Sequence, residues 1–229
     1  MFDLHGYGMS ILMGALLTIE VALFSLLIAT VLGLLGALAK LSPSKTARWI
    51  ATLYTTIVRG IPDLVLMLLV FYGGQLLINQ VASALGHNDY IDINPFIAGV
   101  LTIGFMFGAY MTETFRGAIL AIPYGQLEAA YAFGMTRWQV FRRILLPQMI
   151  PHAIPGFGNN WLVLLKTTAL VSIIGLDDMV RKAALAAGAT RLPFTFYLVV
   201  ALVFLGFTTV SILLLKWAER RYNVGTKTV

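Results

Sequence analysis

Residues 9–39 read MSILMGALLTIEVALFSLLIATVLGLLGALA, a run in which Glu20 is the sole ionisable side chain. A helix of about 20 apolar residues crosses a hydrocarbon core about 30 Å thick, because in lipid every backbone N–H and C=O must be satisfied within the segment. This run is longer than that, and it reads as a membrane helix. A secretory signal would begin with basic residues, whereas the residues ahead of the run carry Asp3 and His5 and no Lys or Arg.

Working outward, the composition agrees. Of 229 residues, 59% are hydrophobic and 11% charged, against roughly 25% charged in a soluble domain, which excludes a soluble globular domain. Further apolar stretches at 64–82, 96–115, 153–175 and 194–215 bring the expected spans to five. The fold class is therefore an all-α membrane protein, a single transmembrane domain over residues 1–229 with no second domain. No internal repeat is visible, so the duplicated halves of many secondary transporters are missing and a two-fold pathway would need a second subunit. Gly33, Gly36, Gly73, Gly74, Gly99, Gly104 and Gly108 would let helices approach closely. The absence of cysteine excludes disulfides, thiolate metal sites and thiol nucleophiles.

Sixteen Lys and Arg against ten Asp and Glu give a formal charge of +6. Short cytoplasmic loops collect Lys and Arg, which accounts for the excess with no nucleic-acid partner. Lys40, Lys45 and Arg48 lie in the connector at 40–48, Arg116, Arg137, Arg142 and Arg143 in that at 116–151, and Lys216, Arg220, Arg221 and Lys227 in the tail. The opposite set holds Arg181, Lys182 and Arg191, balanced by Asp3, Asp89, Asp92, Asp177 and Asp178. The expected orientation has the N-terminus outside and the C-terminus cytoplasmic.

The connector beginning at residue 121 reads AIPYGQLEAAYAFGMTRWQVFRRILLPQMIPHAIP, far longer than a turn between two spans requires. Its pattern predicts a short helix over 126–133, a break at Gly134, a capping box from Thr136 and Gln139, and a second helix ended by Pro147. A glycine suits the tight reversal because φ > 0 or close backbone approach opposes a Cβ. Two readings stand on composition: an interfacial helix lying on lipid, or an element that docks a protein.

Glu128, Ala129 and Ala130, then Gly134, then Ile144, Leu146 and Pro147 match the EAA motif of permease subunits in ABC importers. The flanking AYMTETFRGAILAIPYGQLEAA, LPQMIPHAIPGFGNNW, LLKTTALVSIIGLDD and VRGIPDLVLML resemble the polar and basic amino-acid importer branch, and the resemblance covers essentially the whole chain. It implies a type I ABC importer permease in the inner membrane, moving amino acids, with basic L-amino acids (histidine, arginine, lysine) the expected substrates. It also implies that the coupling element at about 121–150 docks on a cytoplasmic ATPase dimer that carries ATP and Mg. The other implied partners are a second homologous permease, expected to be a different chain, and an extracytoplasmic amino-acid-binding protein. This chain would hold no cofactor and would not be an enzyme. Lys45-Thr46, Lys166-Thr167 and Lys227-Thr228 all lack the glycine-rich context that cradles phosphates.

Glu20, Arg59, Asp63, Glu113 and Lys166 fall inside or at the edge of apolar stretches, where an isolated charge is expensive and must face protein, water or a partner. These five, with Asn160, are the candidate substrate-binding residues. Arg59 and Asp63 either pair across RGIPD or line a pathway opened by the kink at Gly60 and Pro62. The resemblance singles out Asp63, because many relatives with other substrates have an apolar residue there, and a carboxylate pairs with a cationic side chain. Glu113 either bridges Arg116 on one helix face or binds substrate. Glu20, about 11 residues into its span, is expected near the midplane. Lys166, about 13 residues into the fourth, neutralises a carboxylate or attracts one from a substrate. Asn159 and Asn160 are helix glue or contacts to an amino-acid backbone. Asp177 with Arg181, and Asp178 with Lys182, are spaced to pair along a short interfacial helix, which can also meet an external binding protein. His5, His87 and His152 are scattered, so no metal site is expected, and no catalytic constellation is present.

Two rival classes remain. An ion-coupled secondary amino-acid transporter or channel would use Glu20, Asp63 and Glu113 as a relay, and a non-transporting scaffold would use the connector only for docking. The EAA spacing and the missing repeat weigh against the first, and the intramembrane charges against the second.

Overall fold

The structure, a computed structural model, describes residues 4–86 and 89–222. Asp3, His87 and Lys227 lie outside the described residues. Among the described residues the regular structure is entirely helical, in the order α1 (Gly8–Leu41), α2 (Lys45–Gly60), α3 (Asp63–Ala84), α4 (Pro95–Leu120), α5 (Tyr124–Ala132), α6 (Arg137–Val140), a π turn (Phe141–Leu145), α7 (Leu146–Thr167), a 3-10 turn (Thr168–Ser172), α8 (Met179–Thr190) and α9 (Pro193–Tyr222). By length and composition α1, α3, α4 and α9 can cross a membrane. The stretch expected as a fifth span is the latter part of α7 with its 3-10 turn. Its polar residues and internal Pro151 and Pro155 make it less apolar than the other four.

Pro147 does not end the second helix of the connector. The helical path runs from α6 through the π turn into α7, with Pro147 in the first turn of α7. A proline ring clashes with the carbonyl four residues back, and the wider turn immediately before it, in which Leu146 N–H donates to Phe141 O, moves that carbonyl aside.

Helix α2 is an element the apolar pattern does not announce. Ser44 caps it, its hydroxyl accepting from Ala47 N–H. Ala47, Ile50, Ala51, Tyr54 and Val58 form one face at helical spacing, while Thr52, Thr55, Thr56 and Arg59 lie on the other. Tyr54 Oη donates to Phe105 O at 2.5 Å, fastening the apolar face to α4. The break to α3 follows from Pro62, which forces Ile61 to an extended φ of −104° and ψ of 136° and so ends α2.

The centre of the bundle is α1 against α4. A Cβ on Gly33 would lie 2.4 Å from Met111 Cβ, one on Gly36 2.2 Å from Thr112 Oγ1, and one on Gly104 2.7 Å from Ile28. These backbones meet at distances only glycine permits, as helices in lipid do to gain packing where no hydrophobic drive exists. Gly73, with nothing within 4 Å, does not take part in such a contact, and Gly74 makes only an ordinary one to Ile93. Contacts of Ser25 with Val100 and of Gly33 with Met111 set α1 parallel to α4. Those of Gly156 with Thr114 and of Gly99 with Val171 set α7 antiparallel to it.

Candidate functional site

A polar cleft of about 470 Å³ opens beside α4, lined by Lys40, Thr55, Thr56, Arg59, Gly60, Tyr110 and Glu113. The last turn of α1 supplies Lys40, the polar face of α2 supplies the threonines and Arg59, and α4 supplies Tyr110 and Glu113. Glu113 Oε1 accepts from Lys40 Nζ at 2.5 Å, and Oε2 accepts from Arg116 at 2.9 Å. The bridge to Arg116 is one of the two expected readings. The bond to Lys40 ties α1 to α4 and engages the remaining oxygen, so Glu113 is a bracket at this end of the cleft.

Arg59 and Asp63 form no ion pair, because the helix breaks between them. The Arg59 guanidinium lies 5.5 Å from the centroid of the Tyr110 ring, a cation–π contact of about 0.5–2 kcal/mol depending on solvation. Asp63 is half-buried in the first turn of α3, where the helix dipole favours a carboxylate. Asp63 and Arg59 are both within electrostatic reach of Tyr110. The cleft therefore gathers Arg59 and Glu113 from the expected set and adds Lys40, Tyr110, Thr55 and Thr56, while Asp63 is outside its lining and within electrostatic reach of Tyr110. Nothing in the sequence joins Lys40 to Glu113, whereas the threonines share the polar face of α2 with Arg59, and Tyr110 stands three residues before Glu113 on α4.

The other expected residues lie elsewhere. Glu20 is exposed on α1, and Phe24, one turn further along, meets Phe96 at 6.1 Å between centroids. It is thus level with the first turn of α4, because α1 extends beyond α4 at its N-terminal end. Asn160 donates to Thr114 Oγ1 at 2.9 Å and lies 3.7 Å from Met111 Sδ, joining α7 to α4 as helix glue. Lys166 is exposed and has no partner among the described residues. It lies between Asn160, at Thr114, and Val171, at Gly99, level with the middle of α4.

At the end of the bundle that carries Lys40 and Glu113, α5 reverses into α6. Gly134 has φ +77°, its N–H donates to Tyr131 O at 2.9 Å, and Met135 N–H donates to Ala130 O at 3.2 Å. This is the Schellman pattern, with glycine in the left-handed position. Both halves of the Thr136–Gln139 capping box form. Ala130 and Val140 are buried where α5 folds back, while Glu128 and Ala129 face outward. Phe133 is 87% exposed, and Tyr124, Tyr131 and Trp138 are also exposed. Ile144 and Leu146 are half-buried, Leu146 packing on the core, and Pro147 is exposed.

The charge pairing ahead of α8 differs from the expected one. Asp177 accepts from both Arg181 at 3.1 Å and Lys182 at 2.9 Å, and these bonds hold its carboxyl below the usual range. Asp178 caps α8 instead, Oδ1 accepting from Arg181 N–H at 3.0 Å, while its buried Oδ2 has no partner among the described residues. Burial pushes the Asp178 carboxyl up to about 6.

Residues 29–224 match the family described as binding-protein-dependent transport system inner membrane component. The chain belongs to this family. The permease is 53% identical over 224 residues to the histidine/lysine/arginine/ornithine transport system permease protein HisQ of Escherichia coli (strain K12), covering 98% of both chains. It is 43% identical to the nopaline transport system permease protein NocQ of Agrobacterium fabrum, covering 94% of the permease and 93% of that protein. Among solved structures it resembles an amino acid ABC transporter crystallised with histidines, with a TM-score of 0.79 and 32% identity over 94% of the permease and 95% of that chain. The methionine ABC transporter MetNI shares the fold, with a TM-score of 0.66 at 17% identity over 92% of the permease and 97% of that chain.

Proposed function

We propose that this permease is the transmembrane subunit of an ABC importer that carries basic L-amino acids across the inner membrane, driven by ATP hydrolysis on a separate cytoplasmic ATPase dimer. The observation that carries the reading is the placement of the EAA element. It lies at the end of a continuous helical path, α6 through α7, that is hydrogen-bonded into the core at Asn160 and Thr114. A partner gripping exposed Glu128, Ala129 and Phe133 would move α7, and with it α4, which carries one wall of the polar cleft.

The concentration of Lys and Arg at the α5 end favours a cytoplasmic position for that end, with the N-terminus outside. A second homologous permease would close the open side of the cleft, and an external binding protein would deliver substrate. Asp63 would take the cationic side chain of the amino acid. The histidine, lysine, arginine and ornithine for which the HisQ relative is named all have basic side chains, which supports that choice. Coupling requires that substrate and nucleotide each prefer one of two arrangements of the helices.

The test is extraction of the tagged chain from its native membrane in mild detergent and identification of near-stoichiometric companions. A P-loop ATPase together with a second permease is the expected result. Recovery of this chain alone, active without ATP after reconstitution, would overturn the proposal in favour of ion coupling.

A further inference from the structure

Helix α2 is thinly covered by protein. Of its 16 residues Ala51, Thr55 and Val58 are buried, and the polar face with Thr55, Thr56 and Arg59 belongs to the cleft. The other, apolar face borders a separate groove of about 660 Å³ between α1 and α2. The groove exists because side chains are small where the two helices leave their shared loop, Ala39 on α1 facing Ala47 and Ala51 on α2. Further along, Leu35 on α1 and Ile50 and Ile57 on α2 form exposed rims. The lining holds a single polar side-chain atom, the Tyr54 hydroxyl, which already donates to Phe105 O. Whatever fills the groove is apolar along that length, since an unpaired polar group there would find neither protein nor water.

Depth and charge select the occupant. The loop at residues 42–44, which joins α1 to α2, lies across one end of the groove, and Leu66 in the first turn of α3 with Phe105 near the middle of α4 lies at the other. From Ala47 to Val58 the groove follows α2 for about 16 Å, about half the thickness of a hydrocarbon core. A partner's transmembrane helix crosses the whole core, whereas a lipid chain occupies one leaflet. At the loop end stand Lys45, Arg48 and Trp49, all exposed. Arg48 reaches back over the loop, one guanidinium nitrogen donating to Ser42 O at 2.8 Å and to Pro43 O at 3.1 Å. Lys45 has no hydrogen-bond or ion-pair partner among the described residues, while Lys40 is held by Glu113. Tryptophan is typical of the headgroup level, and basic pockets between helices at that level bind anionic head groups.

We propose that this groove is a binding site for one anionic phospholipid, an acyl chain lying between α1 and α2 and the phosphate held by Lys45 and Arg48. The phosphate and the two cations make charge-assisted contacts. The lipid completes the packing of α2 from the side away from Thr55, Thr56 and Arg59, and so sets the position of that wall of the cleft. With the C-terminus cytoplasmic, it belongs to the inner leaflet. The site does not depend on what the subunit carries.

In the test, the protein purified with its companions in mild detergent is stripped of lipid, incubated with equal amounts of dioleoyl phosphatidylglycerol and dioleoyl phosphatidylcholine, and weighed by native mass spectrometry. The unaltered protein should retain one phosphatidylglycerol more than Ala47→Trp, whose indole fills the groove, and phosphatidylcholine should not replace it. Lys45→Gln should weaken retention about fivefold, with an unchanged melting temperature in lipid-free detergent, and Lys45→Arg should restore it. A photo-crosslinking residue placed at Ile57 should attach to lipid in the native membrane. Equal retention of the two lipids, no lipid lost in Ala47→Trp, or retention unchanged in Lys45→Gln would overturn the proposal. Crosslinking from Ile57 to a companion chain would overturn it too, because a protein would then fill the groove.

Discussion

Replacing Gly134 isolates the backbone requirement of the docking element. Beyond its chain neighbours, no atom of the described residues lies within 4 Å of where a Cβ would stand, so Gly134→Ala introduces no clash with them and the penalty comes from φ +77°. A non-glycine residue in the left-handed region costs about 1–2 kcal/mol, and asparagine less than alanine. At 1.4 kcal/mol per factor of ten, the correctly turned element falls about five- to thirty-fold relative to its alternatives in the alanine variant. Gly134→Pro adds a fixed φ near −65° and loses the N–H that bonds Tyr131 O. Affinity for the ATPase and substrate-stimulated ATP turnover should therefore fall in the order Gly, Asn, Ala, Pro, with membrane insertion unchanged in all four. Measuring both in detergent-solubilised complexes decides the matter. Equal affinity for Ala and Gly, or Asn weaker than Ala, would refute the reasoning.

Asp63→Asn should reduce uptake of arginine and lysine about tenfold or more and that of a neutral amino acid far less; equal losses in competition uptake assays would remove the reason for assigning a cationic substrate. Lys40→Met and Glu113→Gln should each lower thermal stability, and a double-mutant cycle should return a coupling of about 1–3 kcal/mol, the value for a partly buried charge-assisted bond; coupling near zero would make the bracket incidental. Because the folded Asp178 carboxyl titrates near 6, above its ordinary value of 3.8, the native state binds the extra proton. Stability should fall as pH rises from about 4 to 6 and stay low above, by an amount of the order of 3 kcal/mol. Asp178→Asn, which keeps an oxygen to cap α8, should flatten that slope in unfolding scans, and an unchanged slope would contradict the burial argument.

The apolar runs made α1, α3, α4 and α9 legible in the sequence, since in lipid length and hydropathy nearly decide a helix. Helix α2 was not legible because half its surface serves the cleft and lowers its apolarity to that of a loop. Pro147 reads as a stop when taken alone, and the π turn that accommodates it leaves no separate signal. The glycines of the α1–α4 contact were visible as small residues, but which of them touch depends on the register between helices, as does the depth of Glu20. Lys40 is 73 residues from Glu113, so no spacing rule could join them. Asp178 and Lys182 have the spacing of a pair, yet Asp178 precedes the first turn of α8 and its side chain satisfies a backbone N–H that would otherwise be left open.

The central claim, that ATP on a partner chain drives amino-acid movement through this subunit, is tested most directly by uptake in proteoliposomes holding the purified complex and an amino-acid-binding protein. Arginine should accumulate only with ATP on the ATPase side, and Glu128→Arg should abolish both accumulation and substrate-stimulated hydrolysis. Accumulation that persists without ATP and follows an imposed ion gradient would contradict the account.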